Sequence, residues 1–530
     1  MVRTTKSEPG PGAGASAQAG AGGVAEASGP APDSATCPVT RPVADDGADH
    51  GTGHAAAPAP HPKGFRNAAL GWPELDRIPH PPRRLPFAGD LLGANLRTPV
   101  QDSVRLGRAL GPIYRRKAFG KEFVFVAGAE LAADIADESR FAKHVGLGVA
   151  NLRPVGGDGL FTAYNHEPNW QLAHEILAPG FSREAMGGYH PLMLDVTRRL
   201  MEHWDERARA GAYADVPGDM TKLTLETIAR TGFGHDFGSF DRDRPHPFVS
   251  AMVGTLAHAQ RRNVVPRALA PMVMRRAERR GAADIALLNS TVDEVVAARA
   301  RGAAGQGDLL DRMLEVAHPV TGERLSQENI RRQVITFLIA GHETTSGALS
   351  FALHYLSRNP GILARARAEI DRVWGDVPEP GYEQVAKLRY LRRVLDESMR
   401  LWPTAPGFAR EAREDTVLGG VHPMRRGAWA LVLTMLVHRD PVAWGPDPET
   451  FDPDRFAPQA VRSRPPHVFK PFGTGARACI GRQFALHEAT LVLGMLLRRY
   501  DLHPDPAYRL RVTERLTLMP EGLRLRPVRR

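Results

Sequence analysis

The 530-residue sequence predicts a mainly α-helical protein with minor β sheets, folded as a single large domain around a long central helix. Three observations predict it. Apolar residues recur at helical spacing through most of the chain, whereas strand-like runs are few and short. One periodic segment, Ser326 to Ser357, is longer than most globular helices. From about Arg66 onward no second linker interrupts the pattern, so one core is the simplest arrangement.

In chain order, residues 1–65 form a tail of Ala, Gly, Pro, Ser and Asp with almost no large apolar side chains, a composition that cannot offset the entropy of ordering. The tail is expected to be disordered, and residues 66–530 to form the folded domain. Phe123 to Val126 reads as a strand. Helices are predicted over His190 to Arg209, Met220 to Thr231 and Ala282 to Arg301. The central helix starts at Ser326, an N-cap residue type, and stops at Arg358-Asn359-Pro360. Ile362 to Trp374 and Leu388 to Leu401 follow as helices. Thr416 to Leu418 and Trp429 to Leu433 read as strands, with Gly419-Gly420 as a tight turn. Phe484 to Tyr500 is the last helix.

Composition excludes several classes. With 52 glycines, 44 prolines and 42% hydrophobic residues, collagen, coiled-coil and mucin readings fail. The cysteines are Cys37 and Cys479 alone, which excludes a disulfide scaffold and a Cys-rich zinc module. No apolar run approaches the ~20 residues of a membrane span, and the first residues lack an apolar signal core, so a cytoplasmic protein is expected. The formal charge is +10; residues 1–63 carry four basic and six acidic side chains, which leaves +12 on the rest. A basic body suits nucleic acid, an acidic protein partner or an anionic ligand, and charge alone does not choose.

Three constellations carry chemistry. The first is Phe472-Gly-Thr-Gly475-Ala-Arg477-Ala-Cys479-Ile-Gly481, placed directly before a helix. A thiolate there is favoured by the helix dipole and by backbone N–H groups. Gly475 and Gly481 permit close approach of a flat ligand, and Arg477 can reach an anion. The loop thus describes an axial sulfur beneath a macrocycle with carboxylate arms. A lone cysteine is more often a small buried hydrophobe, but its glycine and arginine neighbours argue otherwise. A phosphate loop is incomplete here, and the signatures of a Cys–His protease, for which His487 is the nearby histidine, are absent.

The second constellation is Ala340-Gly-His-Glu343-Thr344-Thr-Ser346 within the central helix. It lacks the second histidine of a zinc protease. Ala340 and Thr344 share a face, and Gly341 costs about 1 kcal/mol of helix stability. A groove for dioxygen and water, with Thr344 and Glu343 delivering protons, would compensate; an ordinary Gly/Thr helix contact is the alternative. The third is Glu397-Ser-Met-Arg400, an i, i+3 ion pair that is weak evidence by itself, with Arg455 in Phe451-Asp-Pro-Asp-Arg455-Phe456 as a second arginine for the same carboxylate.

Together these motifs, in this order over roughly Ile78 to Pro527, resemble the cytochrome P450 family. Ile335 to Ser346, Leu401 to Pro406, Lys470 to Phe472 and Gln483 to Gly494 further resemble the haem domain of the bacterial self-sufficient fatty-acid hydroxylase fused to a diflavin reductase. The resemblance implies the cytochrome P450 fold and haem b, iron protoporphyrin IX. Cys479 would be the proximal ligand, its electron push favouring O–O cleavage, with Phe472 packed near the sulfur. Thr344 and Glu343 would form the acid–alcohol pair, and Glu397, Arg400 and Arg455 a structural triad. Trp170, His174, Arg477 and Lys143 would face the propionates; the family's commoner residue at 174 is arginine.

For the substrate, the resemblance implies Phe161, Leu152, Ala340, Ala405 and Leu516 as pocket walls. The branch holds a fatty carboxylate with an arginine and a tyrosine on the early strand, where this chain has Lys121 and Phe125. Lysine keeps the charge without the bidentate fork, and phenylalanine cannot donate a hydrogen bond. No reductase module follows Arg530, so electrons are expected from an external ferredoxin or flavodoxin with its reductase. The expected function is O2-dependent hydroxylation of a hydrophobic small molecule, a fatty acid or acyl chain. Rival readings are a tailoring hydroxylase of a secondary metabolite (polyketide, terpenoid or carrier-bound acyl group), a peroxygenase, and a non-catalytic haem protein. No motif supports nucleic-acid binding.

Overall fold

A computed structural model describes residues 71–530 except 87, 243–245, 266–269 and 303–306. The tail expected over residues 1–65 lies outside the described residues.

The longer helices are α1 (Pro99–Leu110), α2 (Asn169–Leu177), α3 (Arg183–Arg209), α4 (Val216–Phe233), α5 (Pro247–Val264), α6 (Arg275–Ala300), α7 (Gln327–Arg358), α8 (Pro360–Trp374), α9 (Arg389–Leu401) and α10 (Arg482–Arg499). The central helix α7 begins as expected, with the Ser326 side chain accepting from the Asn329 N–H, and it is buried along most of its length. Each predicted helix is present with moved ends. Helix α3 starts seven residues before His190 because Ser182 caps it, its side chain accepting from the Ala185 N–H, and Pro191 is absorbed within the helix. Helices α1 and α5 escaped the sequence reading, and α4 extends on both sides of its predicted span, ending at Gly234 in the left-handed region.

Among the described residues the strands are short and lie in four sheets. Strands β1 (Ile113–Ala118), β2 (Lys121–Val126), β3 (Phe141–His144), β5 (Gly407–Ala412) and β8 (Trp429–Leu433) form a five-stranded sheet in the order β1-β2-β8-β5-β3. Only β2 and β8 pair in parallel. Strand β4 (Ala214–Asp215) joins β9 (Tyr500–Pro504) and β12 (Arg524–Arg529), while β6 (Thr416–Leu418) pairs with β7 (His422–Met424) and β10 (Val512–Glu514) with β11 (Leu518–Pro520). Gly419 and Gly420 both have positive φ, as their turn requires. The sequence missed most of these strands because their pairing partners are remote: β5, for example, alternates little on its own and is fixed by β3 and β8.

The main core packs α7 against α4, α9 and α10. Gly341 belongs to this packing. A Cβ there would meet Ile228 Cγ1 at 3.1 Å, and the Thr224 hydroxyl of α4 donates to the His342 carbonyl at 2.8 Å. The glycine thus serves the close approach of α4, and α7 runs through this segment without a break.

Candidate active site

The Cys479 loop is held by backbone geometry. Gly473 and Gly475 adopt positive φ, and a Cβ on Gly475 would collide with the Glu138 carboxylate. That carboxylate accepts from the Ala476 N–H, and the Cys479 N–H donates to the Phe472 carbonyl at 2.9 Å. Phe472 thus supports the loop through its carbonyl, while its ring packs at the edge of the core with the Arg482 guanidinium 5.8 Å from its centroid. Gly481 approaches the sulfur closely, a Cβ there lying 4.0 Å from Sγ.

The sulfur is reachable by solvent, yet burial is the largest influence on its thiol and raises its pKa; the Gly481 N–H and the Arg482 charge oppose this. The sulfur is thus accessible while most of its surroundings are protein. Burial and the helix terminus thus act in opposite directions on the Cys479 thiol, and a bound metal cation would favour the thiolate.

Ala340 is exposed, and Thr344, one turn on, is half-buried, on a helix whose neighbouring residues are buried. The Thr344 hydroxyl donates to the Ala340 carbonyl at 2.8 Å. Glu343 turns elsewhere. Its buried carboxylate accepts from the Thr517 hydroxyl at 3.0 Å and has Arg515 at 3.7 Å, both from the β10–β11 loop. No hydrogen bond joins the Glu343 and Thr344 side chains among the described residues, so the expected acid–alcohol pair is sequential but not in contact.

The four expected propionate residues do assemble. Trp170 and His174 of α2 stack with centroids 5.0 Å apart, and the Arg477 guanidinium lies 4.5 Å over Trp170. Arg477 donates to the Ala163 carbonyl at 2.7 Å, and Lys143 donates to the Phe161 carbonyl at 2.6 Å and lies over the Phe161 ring. Burial, with Arg477 adding repulsion, pushes Lys143 down to about 7. Burial likewise pulls Arg477 down to about 10, against the Glu167 charge. The Arg477 Nε is buried without a partner. Two neighbouring cations in a low-dielectric recess, one with an orphaned N–H, form a site for an anion.

Behind the loop, Glu397 and Arg400 are fully buried and paired through two hydrogen bonds of 2.6 and 2.7 Å. Arg400 also donates to the carbonyls of His438, Pro448 and Thr450, and Arg455 Nε stands 3.8 Å from Glu397. The Lys470 N–H donates to His438 Nε2 at 2.9 Å, which links this cluster to the segment entering the Cys479 loop. Burial holds the His438 pKa down to about 3, so the ring is neutral and its Nε2 accepts.

Two expected substrate residues are buried. Leu152 is 3% exposed and belongs to the main core, and Phe125 is 9% exposed, stacked on Tyr114 with centroids 5.0 Å apart. Strand alternation puts Phe125 on the same face of β2 as Lys121 and Phe123, and the Tyr114 stack covers it there. Lys121 is half-buried at the start of β2, Phe161 and Leu516 are half-buried, and Ala405 is exposed beside buried Thr404. Sequence reasoning missed Glu138, Arg515, Thr517 and His438, none of which carries a local signal.

It also missed Glu488 of α10, fully buried with neither carboxylate oxygen hydrogen-bonded. Burial pushes its carboxyl up to about 8; the opposing Thr227 hydroxyl is committed to the Leu223 carbonyl. The unfolded chain binds this proton only below about 4.5, so the contribution to stability is complete below that pH and is lost as pH rises through about 8. The loss amounts to roughly 3 kcal/mol by neutrality. In thermal melts of Glu488→Gln beside the parent, the variant's relative stability is expected to increase steadily from about pH 5 to pH 8; a pH-independent difference contradicts a neutral Glu488.

An accessible sulfur donor beside a cationic anion site is the donor set of a haem-thiolate protein. The residues fit the group: the sulfur offers the single protein ligand and the unpaired cations suit its carboxylates. The chain belongs to the cytochrome P450 family, whose model matches residues 79–525, and its cofactor is haem b. It is 45% identical over 459 residues to a bifunctional cytochrome P450/NADPH-P450 reductase of Bacillus cereus, covering 86% of this chain and 42% of that protein. Identity is 47% over 422 residues to reductase 2 of that name from Bacillus subtilis, covering 79% and 40%. A self-sufficient cytochrome P450 monooxygenase of Aspergillus terreus is 38% identical over 455 residues, covering 86% and 43%. The chain thus spans about two fifths of the length of these relatives.

Proposed function

We propose that this chain is a monooxygenase that hydroxylates an acyl chain with O2 and with electrons from a flavin- or iron–sulfur-bearing donor. The observation that carries the reading is the accessible Cys479 sulfur beside the Arg477–Lys143 anion site. When bound there, haem b supplies the redox-active iron at which O2 is reduced and the C–H bond oxidised. Cys479 would give the axial sulfur, while Arg477, Lys143, Trp170 and His174 would bind the propionates. The printed names of the bacterial relatives couple the cytochrome to a reductase, which supports a flavin donor.

Thr344 Oγ1 holds a proton that it donates to the Ala340 carbonyl, and rotation about χ1 would redirect it. Glu343, clamped by Thr517 and Arg515, would resupply that proton after releasing the clamp. Thr344→Ala is expected to leave the substrate-induced spectral shift unchanged and to lower product formed per O2 consumed by about tenfold or more. Unchanged coupling removes Thr344 from the proton path.

The substrate class is tested by titrating free fatty acids of graded length, and acyl-carrier conjugates, against the Soret band. Free acids are expected to shift it, and Lys121→Glu to weaken that binding severalfold with unchanged haem content. The burial of Phe125 favours one second reading, since no hydroxyl joins Lys121 at the carboxylate position. A Soret shift with a conjugate or other scaffold, and none with any free acid, establishes a tailoring hydroxylase instead.

A further inference from the structure

Arg477 and Lys143 carry like charges, and the Arg477 charge adds to burial in lowering the Lys143 pKa. Cations that repel stay together only where other groups hold them. Asn165 is such a group. Its Nδ2 donates to the Lys143 carbonyl at 2.7 Å, and its Oδ1 accepts from Arg477 Nη1 at 3.3 Å, so one side-chain amide joins the segments that present the two cations. The same Nδ2 donates to Glu411 Oε1 at 2.9 Å. Glu411 Oε2 lies 2.6 Å from His144 Nδ1, and the His144 ring stacks on Trp429 with centroids 4.5 Å apart.

Strand register brings these groups together. In the β3–β5 ladder Glu411 stands opposite Ala142, so His144, two residues on, shares its face as a diagonal neighbour, while Lys143 falls on the other face. Asn165 is exposed and fills no core, so its bonds and not its packing define its role.

The chemistry of the amide gives Glu411 a directing part. An asparagine side chain has nearly the same shape when its oxygen and nitrogen exchange places, so its partners alone decide which end points where. An ionised carboxylate and a backbone carbonyl only accept, and between them they require the Nδ2 end. The Oδ1 end is left for Arg477, whose guanidinium only donates. Without the Glu411 carboxylate the amide would be free to turn its N–H groups toward the guanidinium, donor against donor. With the Ala163 carbonyl accepting from Nη2 at 2.7 Å, two acceptors fix the guanidinium, and its Nε keeps no partner.

We propose that Asn165 and Glu411 are positioning residues for the propionate site: Glu411 sets which end of the Asn165 amide meets Arg477, and Asn165 holds the guanidinium in the orientation that receives a haem carboxylate. Both act through Arg477. The inference rests on the reading that Arg477 binds a propionate.

The test is the rate of haem transfer from the loaded protein to excess apomyoglobin, with circular dichroism to verify that each variant is folded. Arg477→Ala is expected to speed haem loss by about tenfold or more, Asn165→Ala by about fivefold and Glu411→Gln by about twofold or more. On the Arg477→Ala background, adding Asn165→Ala is expected to change the rate by less than about 1.5-fold, because the group it orients is gone. On the Asn165→Ala background, Glu411→Gln is likewise expected to have no further effect, and this second cycle serves even where Arg477→Ala retains too little haem to measure. Haem loss from Arg477→Ala at the parent rate overturns the propionate reading and the inference with it. Faster loss from Arg477→Ala beside a parent rate for Asn165→Ala overturns the inference alone. Additive effects in either cycle also overturn it, since they mark a general loosening of the fold.

Discussion

Cys479→Ala is expected to abolish the thiolate absorption band of the reduced, carbon monoxide-treated protein and all monooxygenase activity, while leaving the polypeptide folded. The sulfur is exposed and the loop around it is held by main-chain contacts, the Cys479 N–H to Phe472 and the Ala476 N–H to Glu138, which alanine preserves. Deleting one accessible sulfur leaves no buried group unpaired, so the melting temperature of the haem-free variant should match that of the haem-free parent within about 1 °C. Haem that remains associated through Arg477 and Lys143 should lack the thiolate signature. A variant that keeps the band and the turnover would show that the iron ligand is another residue.

The second large effect concerns the buried ion pair behind the loop. Glu397→Ala leaves the Arg400 guanidinium fully buried without its carboxylate and strips the Asp452 N–H of its acceptor. Breaking a buried pair from one side costs about 3–5 kcal/mol. In a domain of this size the melting temperature is expected to fall by at least about 5 °C, with lower haem occupancy as the 438–470 segment loosens. Arg400→Lys alone, with Glu397 intact, should cost less than Glu397→Ala, keeping the charge but not the two-pronged geometry. The exposed pair Arg365–Asp454 provides the contrast: Asp454→Ala should cost less than about 1 kcal/mol. Equal costs at the two sites would mean that Glu397 is not the anchor of the Arg400 carbonyl cage.

Much of the site was legible because it is local. Ten consecutive residues carry the Cys479 loop, and its glycine torsions, its arginine and the following helix can be read from spacing alone. The i, i+4 spacing that stacks Trp170 on His174 and the i, i+3 spacing of Glu397 and Arg400 are equally local. The glycine at 341 was legible as a cost but not as to its cause, since Ile228 approaches from a helix more than a hundred residues away.

The directions of side chains toward distant partners were not legible. Glu343 and Thr344 are adjacent in sequence, yet Thr517 and Arg515 hold the carboxylate away from the hydroxyl. Phe125 and Leu152 matched pocket positions by resemblance, and packing put both in cores. Glu488 looks like any helix-surface acid until α10 is buried on all sides.

The sequence by itself determined the helical class, the sulfur loop and the residue types available to hold haem, because helix spacing and glycine torsions depend on nearest neighbours along the chain. Only the tertiary structure decided which charges lack counterions, that the thiol is desolvated, and where Glu343 points. Those properties depend on the local dielectric and on contacts between segments that meet only when the core closes.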